Sequence, residues 1–415
     1  MGVGKILVYF FWTNKPFRYI RVARFDVGKF LTLDFSNLRE ARALEMVNPV
    51  GFELPYGTAD LKIYSEDDNF SITNPQGYYY DITQNQPIYL YEIVDGTQML
   101  IGHYFMDNWE SPARYFIDFH LIDALGLIGE NTYYGGILSG ITVQNWLSAR
   151  MAELGMAYEL DSALAPITLN GWIPICSYRE ALQEVALAIG AIVKASRYGG
   201  IAVIKAPDYE IDQVVSEIGR EEMNLDSPTR LRKFYSGVEV IAHAFRANTG
   251  ATAEILFNEP LPVGQHPISW GEPKHSLSIS GGTIVSSSAN HVIVNVSAAG
   301  TVLVQGKPYW HFQSSFKKIN AEVSTGAKQN VPKVDQAYLV NLSNVSGVRD
   351  RIYNYLMRRY TQKTKLIAPL VESGDLVKIA TPDGKQIKGV VESMNMNLSG
   401  GYVTEVEISG DLVNA

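Results

Sequence analysis

Short runs of alternating apolar and polar residues dominate the first 120 residues, and turn-forming residues separate them. Such alternation places apolar side chains on one face of a β-strand. The runs that predict strands are Ile6–Trp12, Arg18–Phe25, Phe30–Leu33, Ala59–Tyr64, Gln86–Glu92 and Met99–Phe105. A turn at Val94-Asp95-Gly96 predicts a hairpin between the last two runs. We therefore predict an antiparallel β-barrel domain over residues 1–120.

The apolar period changes to that of a helix between residues 121 and 230. One apolar stripe, closed by a C-capping Gly155, consists of Val143, Trp146, Leu147, Met151 and Leu154. Ser177 and Glu180 form an S-x-x-E capping box, which predicts a second helix from Tyr178 to Gly190. Two strands and a glycine turn follow, over residues 191–205. This region is predicted to be a separate α+β domain over residues 121–230.

The remaining chain predicts a second β-barrel that is interrupted by an insert. Residues 231–245 and 333–415 read as this barrel, with one helix over 347–361. The composition of residues 246–332 is rich in Gly, Ser, Thr, Val and Asn, with frequent turn signals, and predicts a small all-β module. We expect the strand at Val238–His243 to pair with strands after Leu366.

Several segments, taken in their order, resemble the central baseplate hub proteins of bacteriophage tails and related contractile injection systems. They lie between residues 101 and 410 and are Ile101–Trp109, Phe116–Leu127, Tyr133–Gly136, Gly171–Lys205, Phe234–Val240 and Leu370–Gly410. The resemblance implies an α+β, mostly β fold with two tube-like antiparallel β-barrels, a helix-containing α+β domain between them and a small all-β insert.

The same resemblance implies assembly rather than catalysis. A hub of this type is a homotrimer at the distal end of a phage tail or tail-like particle, assembled in the bacterial cytoplasm, and it joins the sixfold tail tube to a threefold spike. The implied partners are further copies of the chain, a tail tube or distal tail protein, a spike or tip protein, and a tape measure protein. Closing such a ring requires heterologous contacts between copies.

Composition narrows the possible functions. The net charge of −8 and the pI of about 5.5 argue against specific nucleic-acid binding, although they are compatible with DNA passing through a channel. The single cysteine, Cys176, excludes an intramolecular disulfide and reads as a packed residue rather than a nucleophile. No apolar stretch approaches the ~20 residues of a membrane-spanning helix, and we expect no stable membrane insertion.

No catalytic, cofactor or metal site emerges from the spacing of chemically active residues. Asp118, His120 and Asp123 lie close in sequence, yet an acid-base or metal centre needs a further converging group. The other histidines are scattered, and the sequence contains neither an H-E-x-x-H nor a C-x-x-C motif. We therefore predict a protein that is not an enzyme and that has no cofactor.

One segment carries a charge opposite to that of the whole chain. Between Val345 and Lys365 there are six basic residues and one acidic residue, a net charge of +5. We predict a helix from Arg349 to Lys365, with Arg358, Arg359 and Tyr360 at a subunit or partner interface, because Arg and Tyr are enriched in contact hot spots. A merely solvated helix face is the alternative interpretation.

Two other functions are also compatible with the sequence. In the first, the chain is the structural N-terminal part of a tail-associated lysin or host-adhesion protein, and Trp270, Tyr309 and Trp310 in the insert stack on surface glycans. In the second, it is a soluble α+β hydrolase, which would act on peptidoglycan or generic esters.

Overall fold

The computed structural model describes most of the chain. The described residues are 5–11, 30–33, 38–64, 66, 71, 73–77, 82–94, 97–113, 115–223, 227–321, 330–367, 371–398 and 403–413. The predicted strand at Arg18–Phe25 lies outside this range. The N-terminal strand is observed at Lys5–Phe11.

Strands from both ends of the chain form one large sheet, which has thirteen strands among the described residues. The strands of the N-terminal part are β1 (Lys5–Phe11), β2 (Phe30–Leu33), β3 (Leu38–Met46), β4 (Thr58–Tyr64), β5 (Pro87–Val94), β6 (Thr97–Ala113) and β7 (Phe116–Ile122). The later strands are β15 (Ser216–Ile218), β16 (Thr229–Leu231), β25 (Tyr360–Ile367), β26 (Leu376–Ala380), β27 (Gln386–Asn397) and β28 (Val403–Val413). The hairpin predicted between β5 and β6 is confirmed, because Val94 pairs with Thr97.

Strand β27 joins the two halves of this sheet. Along one side, its first residues pair with β26, and its last residues, Ser393–Asn397, pair with β3. Met394 packs in the core of the C-terminal half, whereas Met396, two residues later, packs in the core of the N-terminal half. Residues two apart on a strand share a face. One face of β27 therefore contributes to both cores, and the predicted barrels are two halves of a continuous sheet.

The central α+β region follows the sequence pattern closely. Its elements are α1 (Ala124–Gly129), β8 (Thr132–Tyr133), β9 (Gly136–Thr142), α2 (Val143–Leu154), β10 (Tyr158–Leu160), β11 (Thr168–Ile173), β12 (Cys176–Ser177), α3 (Tyr178–Ile189), β13 (Ala191–Ala195) and β14 (Ile201–Lys205). The capping box of α3 is confirmed, with both Ser177 and Glu180 bonded reciprocally. Gly155 and Gly190 end their helices in the left-handed conformation that glycine adopts without steric cost.

The described strands between residues 237 and 334 form two further sheets. Their strands are β17 (Gly237–Ala247), β18 (Glu254–Leu261), β19 (Gly264–Ser269), β20 (Lys274–Ser280), β21 (Thr283–Ser287), β22 (His291–Val296), β23 (Gly300–Ile319) and β24 (Lys333–Val334). Strand β23 is 20 residues long and pairs with β17, β18 and β20. The fully buried apolar side chains between the two sheets are mostly valines.

The pairing predicted for Val238–His243 is wrong. These residues lie in β17, which pairs with β23 and, over two residues, with β24 rather than with strands after Leu366. The partners of β25 and β26 from the earlier part of the chain are instead the short strands β16 and β15. The predicted division into four domains remains a prediction.

The fold class agrees with the sequence prediction. The chain is α+β and mostly β, with α4 (Val345–Met357) as the fourth α-helix of the described part. None of the described helices is long and apolar enough to span a membrane.

Candidate partner interface

Helix α4 ends before the residues that were predicted to form an interface. The helix spans Val345–Met357 rather than 347–361, and Arg358 already has an extended backbone with φ −77° and ψ 103°. Tyr360 begins β25 and pairs with Gly410 of β28 and Leu231 of β16. The prediction of a helix through Lys365 is therefore wrong, because strand pairing on both sides overrides the local helical preference.

Arg358 is held within the chain by an aromatic ring and a carboxylate. Its guanidinium carbon lies 3.5 Å from the ring centroid of Tyr209, a cation–π distance, and its Nε lies 3.5 Å from Oδ2 of Asp411. Only 19% of the Arg358 side chain is exposed. Burial raises the pKa of Tyr209 to about 12. Arg358, at the end of α4, thus connects the helix to Tyr209 and to strand β28 of the large sheet.

Arg359 faces a different surface. Its Nε and one terminal nitrogen donate to the carbonyl oxygen of Arg232, at 3.2 and 3.1 Å, and its guanidinium lies 5.3 Å from the ring centroid of Phe234. Phe234 and Leu231 are both exposed large apolar side chains. Leu231 belongs to β16, an edge strand of the large sheet. We call Leu231, Phe234 and Arg359 the β16 rim. Of the predicted residues, Arg359 lies beside exposed Phe234, and Tyr360 lies opposite exposed Leu231.

A partly buried polar network lies next to the β16 rim. Arg232 forms an ion pair with Glu392 of β27, and the hydroxyl of Tyr355 in α4 donates to Oε1 of Glu392 at 3.0 Å. The Arg232 guanidinium also lies 5.0 Å from the ring centroid of Tyr355. Burial raises the pKa of Glu392, and the positive charge of Arg232 opposes this rise. The network connects α4, β27 and the segment after β16.

Other basic side chains of the segment also have partners in the chain. Arg349 bonds to Asp350, and Lys363 lies 2.6 Å from Glu405. Arg351 donates to the carbonyl oxygen of Leu187 at 2.8 Å and fills space beside Gly190, where a Cβ would lie 2.7 Å from its Nε. The net charge of +5 in sequence is therefore partly balanced by acids from distant strands, which sequence reasoning did not detect.

The other residues singled out in the sequence occupy structural positions. Asp118 lies 3.7 Å from the ammonium of Lys62, whereas His120 Nδ1 lies 2.7 Å from Oδ1 of Asp60. The buried carboxylate of Asp123 accepts N–H bonds as the N-cap of α1. These three side chains therefore do not converge on one point.

The thiol of Cys176 is poorly suited to nucleophilic chemistry. Burial, with the nearby carboxylates of Glu180 and Glu184, raises its pKa to about 12. A thiol with such a pKa stays protonated at neutral pH, and the thiolate is the reactive species. In the described residues, no group of three or more His, Cys, Asp or Glu side chains is placed to hold a metal ion.

The three aromatic residues considered for glycan stacking differ in exposure. Trp270 packs against the core between the two sheets, and its indole nitrogen donates to the carbonyl oxygen of Ala289 at 2.8 Å. Tyr309 meets His275 edge to face, at 5.0 Å between ring centroids, and lines a polar cleft of about 340 Å³. Trp310 is 54% exposed. Of the three, Trp310 alone presents more than half of its surface to solvent.

An aromatic cluster that sequence reasoning missed connects the central region to β17 and β23. The ring of Phe245 stacks on His311 at 4.4 Å between centroids, and Trp172 and Tyr338 complete the cluster. His243 Nδ1 lies 2.9 Å from His311 Nε2. Burial, together with His311, lowers the pKa of His243 to about 4. The cluster packs neutral rings between two regions that are far apart in sequence.

Glu184 of α3 is a partly buried acid beside this cluster. Backbone N–H groups of Leu339 and Tyr338 hydrogen-bond to its carboxylate, and its Oε2 has no hydrogen-bond partner among the described residues. Burial outweighs these bonds and raises the pKa of Glu184 to about 7. The folded protein therefore holds a proton on Glu184 at pH values where the unfolded chain, with a pKa near 4.5, has released it.

This proton predicts a pH dependence of stability. A raised pKa contributes stability that is fully present below pH ~4.5 and is lost as pH rises through ~7. We expect Glu184→Gln to remove the loss of stability between pH ~4.5 and ~7, and to raise the free energy of unfolding above pH 7 by about 1–3 kcal/mol. Urea titrations of both proteins between pH 4 and 8 measure the free energy of unfolding at each pH.

Glu180, four residues earlier on α3, is the matched control. Its hydrogen bonds with Ser177 lower its pKa, so that Glu180→Gln removes stability that is present at neutral pH and lost in acid. Opposite pH effects of the two substitutions are expected. An identical effect of both on the curve would contradict the assignment of the bound proton to Glu184.

Comparison with known proteins gives matches of structure but none of sequence. The sequence matches no protein-family model and no curated protein. The structure is similar to a tail protein from Neisseria meningitidis MC58, with a TM-score of 0.57 and 12% identity over 99% of this chain and 97% of that one. Prophage tail protein gp18 from Listeria monocytogenes EGD-e gives a TM-score of 0.52 and 10% identity over 99% and 95%.

A third structure extends the same pattern. The 43 kDa tail protein of prophage MuSo2 from Shewanella oneidensis gives a TM-score of 0.51 and 9% identity, with 97% of each chain covered. At such low identity the likeness concerns the fold, and it runs over nearly the whole length of all three proteins. The chain therefore has the fold of phage tail proteins, as its resemblance to the tail hubs predicted.

Proposed function

We propose that this chain is a structural component of a phage tail or tail-like particle, and that it forms the hub at the distal end of the tail. In this role it joins the sixfold tail tube to a threefold spike or tip. The full-length likeness to three tail proteins supports a tail role. The finer assignment to the hub rests on how the two ends of the chain are joined.

The pairing of β3 with β27 is the observation that carries the hub proposal. It places the N-terminal and C-terminal halves of the large sheet side by side in one chain, with β27 packing into both cores. Three copies of such a chain present six β units around a ring. A trimer of this kind matches a sixfold tube on one side and keeps threefold symmetry on the other.

The first test is the mass of the particle in solution. We expect light scattering at micromolar concentration to give three times 46.1 kDa. A ring closed by heterologous contacts loses subunits on dilution, so the mass is expected to fall toward that of one chain. A particle that stays monomeric, both alone and in an assembled tail, contradicts the proposal.

The proposed partners follow from the position of a hub. They are a tail tube or distal tail protein, a spike or tip protein and a tape measure protein, within the tail of a virion or tail-like particle. We propose a non-catalytic role for this chain. Incubating the purified protein with peptidoglycan and with generic esters tests that role, and turnover of either substrate would favour a lysin or a hydrolase instead.

A further inference from the structure

Strand β23 has a different set of neighbours along each side. On one side, β17 pairs with it from Tyr309 to Ile319. On the other side, β20 pairs with its earlier residues, and this pairing ends where Lys274 lies opposite Pro308. The N–H of Asn248 donates to the carbonyl oxygen of Pro308, in line with β17. Two chains cannot occupy one side at Pro308, so β17 and β20 lie on opposite sides of β23.

The hydrogen bonds at both ends of β17 show which backbone groups of β23 face outward. Beside the bond to Pro308, Asn320 donates its N–H to the carbonyl oxygen of Ser236. In an antiparallel ladder, alternate residues direct both backbone groups to the same side. The even-numbered residues from 308 to 318 therefore face β17. The odd-numbered residues from 311 to 319 direct their N–H and C=O groups away from it, and no described strand pairs with them there.

Two large apolar side chains lie beside this open edge. Trp310 and Phe312 are 54% and 53% exposed and share one face of β23. Helix α4 covers the same face farther along, where Phe316 packs against its core. Natural edge strands are commonly protected by proline, charge or a covering element. From His311 to Ile319 there is no proline and no acidic residue, and the charged residues are Lys317 and Lys318.

We infer that the β23 edge, residues 311–319, receives an extended segment from a second copy of this chain, which adds a strand to the sheet. The inference rests on the proposed trimer and names one of its contact surfaces. A second copy fits because the chain has a net charge of −8, whereas this edge has no acid and carries the exposed Lys317 beside Lys318, which is paired with Asp350 of α4. A cyclic ring also brings two different surfaces of neighbouring copies together.

The added strand makes two kinds of contact. Its backbone bonds to the outward N–H and C=O groups of β23, which gives affinity without dependence on sequence. Its side chains lie next to Trp310 and Phe312, because cross-strand neighbours on one face are about 5 Å apart. Both the unpaired backbone groups and the exposed aromatic pair are then covered by the same partner.

A proline at residue 313 separates this contact from the fold of the subunit. Gln313 is exposed and outward facing, so Gln313→Pro removes one N–H from the open edge and none from the ladder with β17. Gln313→Ala removes the same side chain and keeps the N–H, and it is the matched control. We expect Gln313→Pro to weaken trimer formation at least tenfold in light-scattering dilution series, whereas Gln313→Ala stays close to the unmodified protein.

Amide hydrogen exchange on the unmodified protein gives a second measurement. It tests the inference even when the Gln313→Pro variant fails to fold. In the trimer we expect slow exchange at both the even and the odd residues of 311–319. In the diluted monomer, the odd residues alone become fast. A trimer whose odd amides exchange as fast as in the monomer, or whose affinity Gln313→Pro leaves unchanged, overturns this inference and leaves the trimer standing. A protein that never trimerises overturns both.

Discussion

Glu392→Ala is expected to lower the free energy of unfolding by about 2–4 kcal/mol, because it leaves the guanidinium of Arg232 without its carboxylate. The two side chains are 15% and 25% exposed, so that solvent compensates only part of the lost pairing. The hydroxyl of Tyr355 loses its acceptor at the same time. Urea denaturation at pH 7 measures the loss.

A second ion pair in the same sheet provides the control. Glu217 of β15 lies 2.9 Å from Lys378 of β26, and its side chain is 60% exposed. Exposed pairs contribute about 0–1 kcal/mol, so Glu217→Ala is expected to cost little. Replacing both partners of the partly buried pair, as Arg232→Met with Glu392→Leu, is expected to recover much of the lost stability. Equal costs for Glu392→Ala and Glu217→Ala would show that the network does not stabilise the junction.

Charge reversal of Arg358 and Arg359 together is expected to weaken both the subunit and its association. If Arg358 and Arg359 were only solvated, the cost in stability would be within ~0.5 kcal/mol. The observed contacts of Arg358 change that expectation, because Arg358→Glu would place a second negative charge beside Asp411 and uncover the ring of Tyr209. We expect this substitution alone to cost about 1–3 kcal/mol in urea denaturation.

The effect on association is expected to come mainly from Arg359. Its guanidinium lies beside exposed Phe234, near the edge strand β16 of the large sheet, where a partner would meet it. Arg359→Glu should therefore lower trimer or tail-tube affinity and change its salt dependence. Lys385→Glu, at an exposed turn of the same sheet half, makes the same change of charge as a control. A folded Arg359→Glu variant with unchanged affinity and unchanged salt dependence would remove this residue from the interface.

The sequence determined the elements whose signals are local. The capping box at Ser177 and Glu180, the C-capping glycines 155 and 190, and the hairpin after Val94 were all identified correctly. Each depends on residues within a few positions of one another, because caps and tight turns satisfy backbone groups nearby in the chain. The resemblance of several ordered sequence segments to the tail hubs also predicted the mostly β, tail-protein fold.

Strand pairing and the surroundings of charged groups were decided by the tertiary structure. The partner of β17 is β23, more than sixty residues later, although β17 was predicted to pair beyond Leu366. Arg358 is paired with Asp411, and Arg232 is paired with Glu392. Neither carboxylate belongs to residues 345–365, so the net charge of that segment could not reveal these pairs. A sum of charges over neighbouring residues applies to a segment surrounded by solvent. In the folded chain, acidic residues from a distant strand lie beside this segment. Alternation predicts that a strand has two faces, but it does not choose the neighbour at each edge.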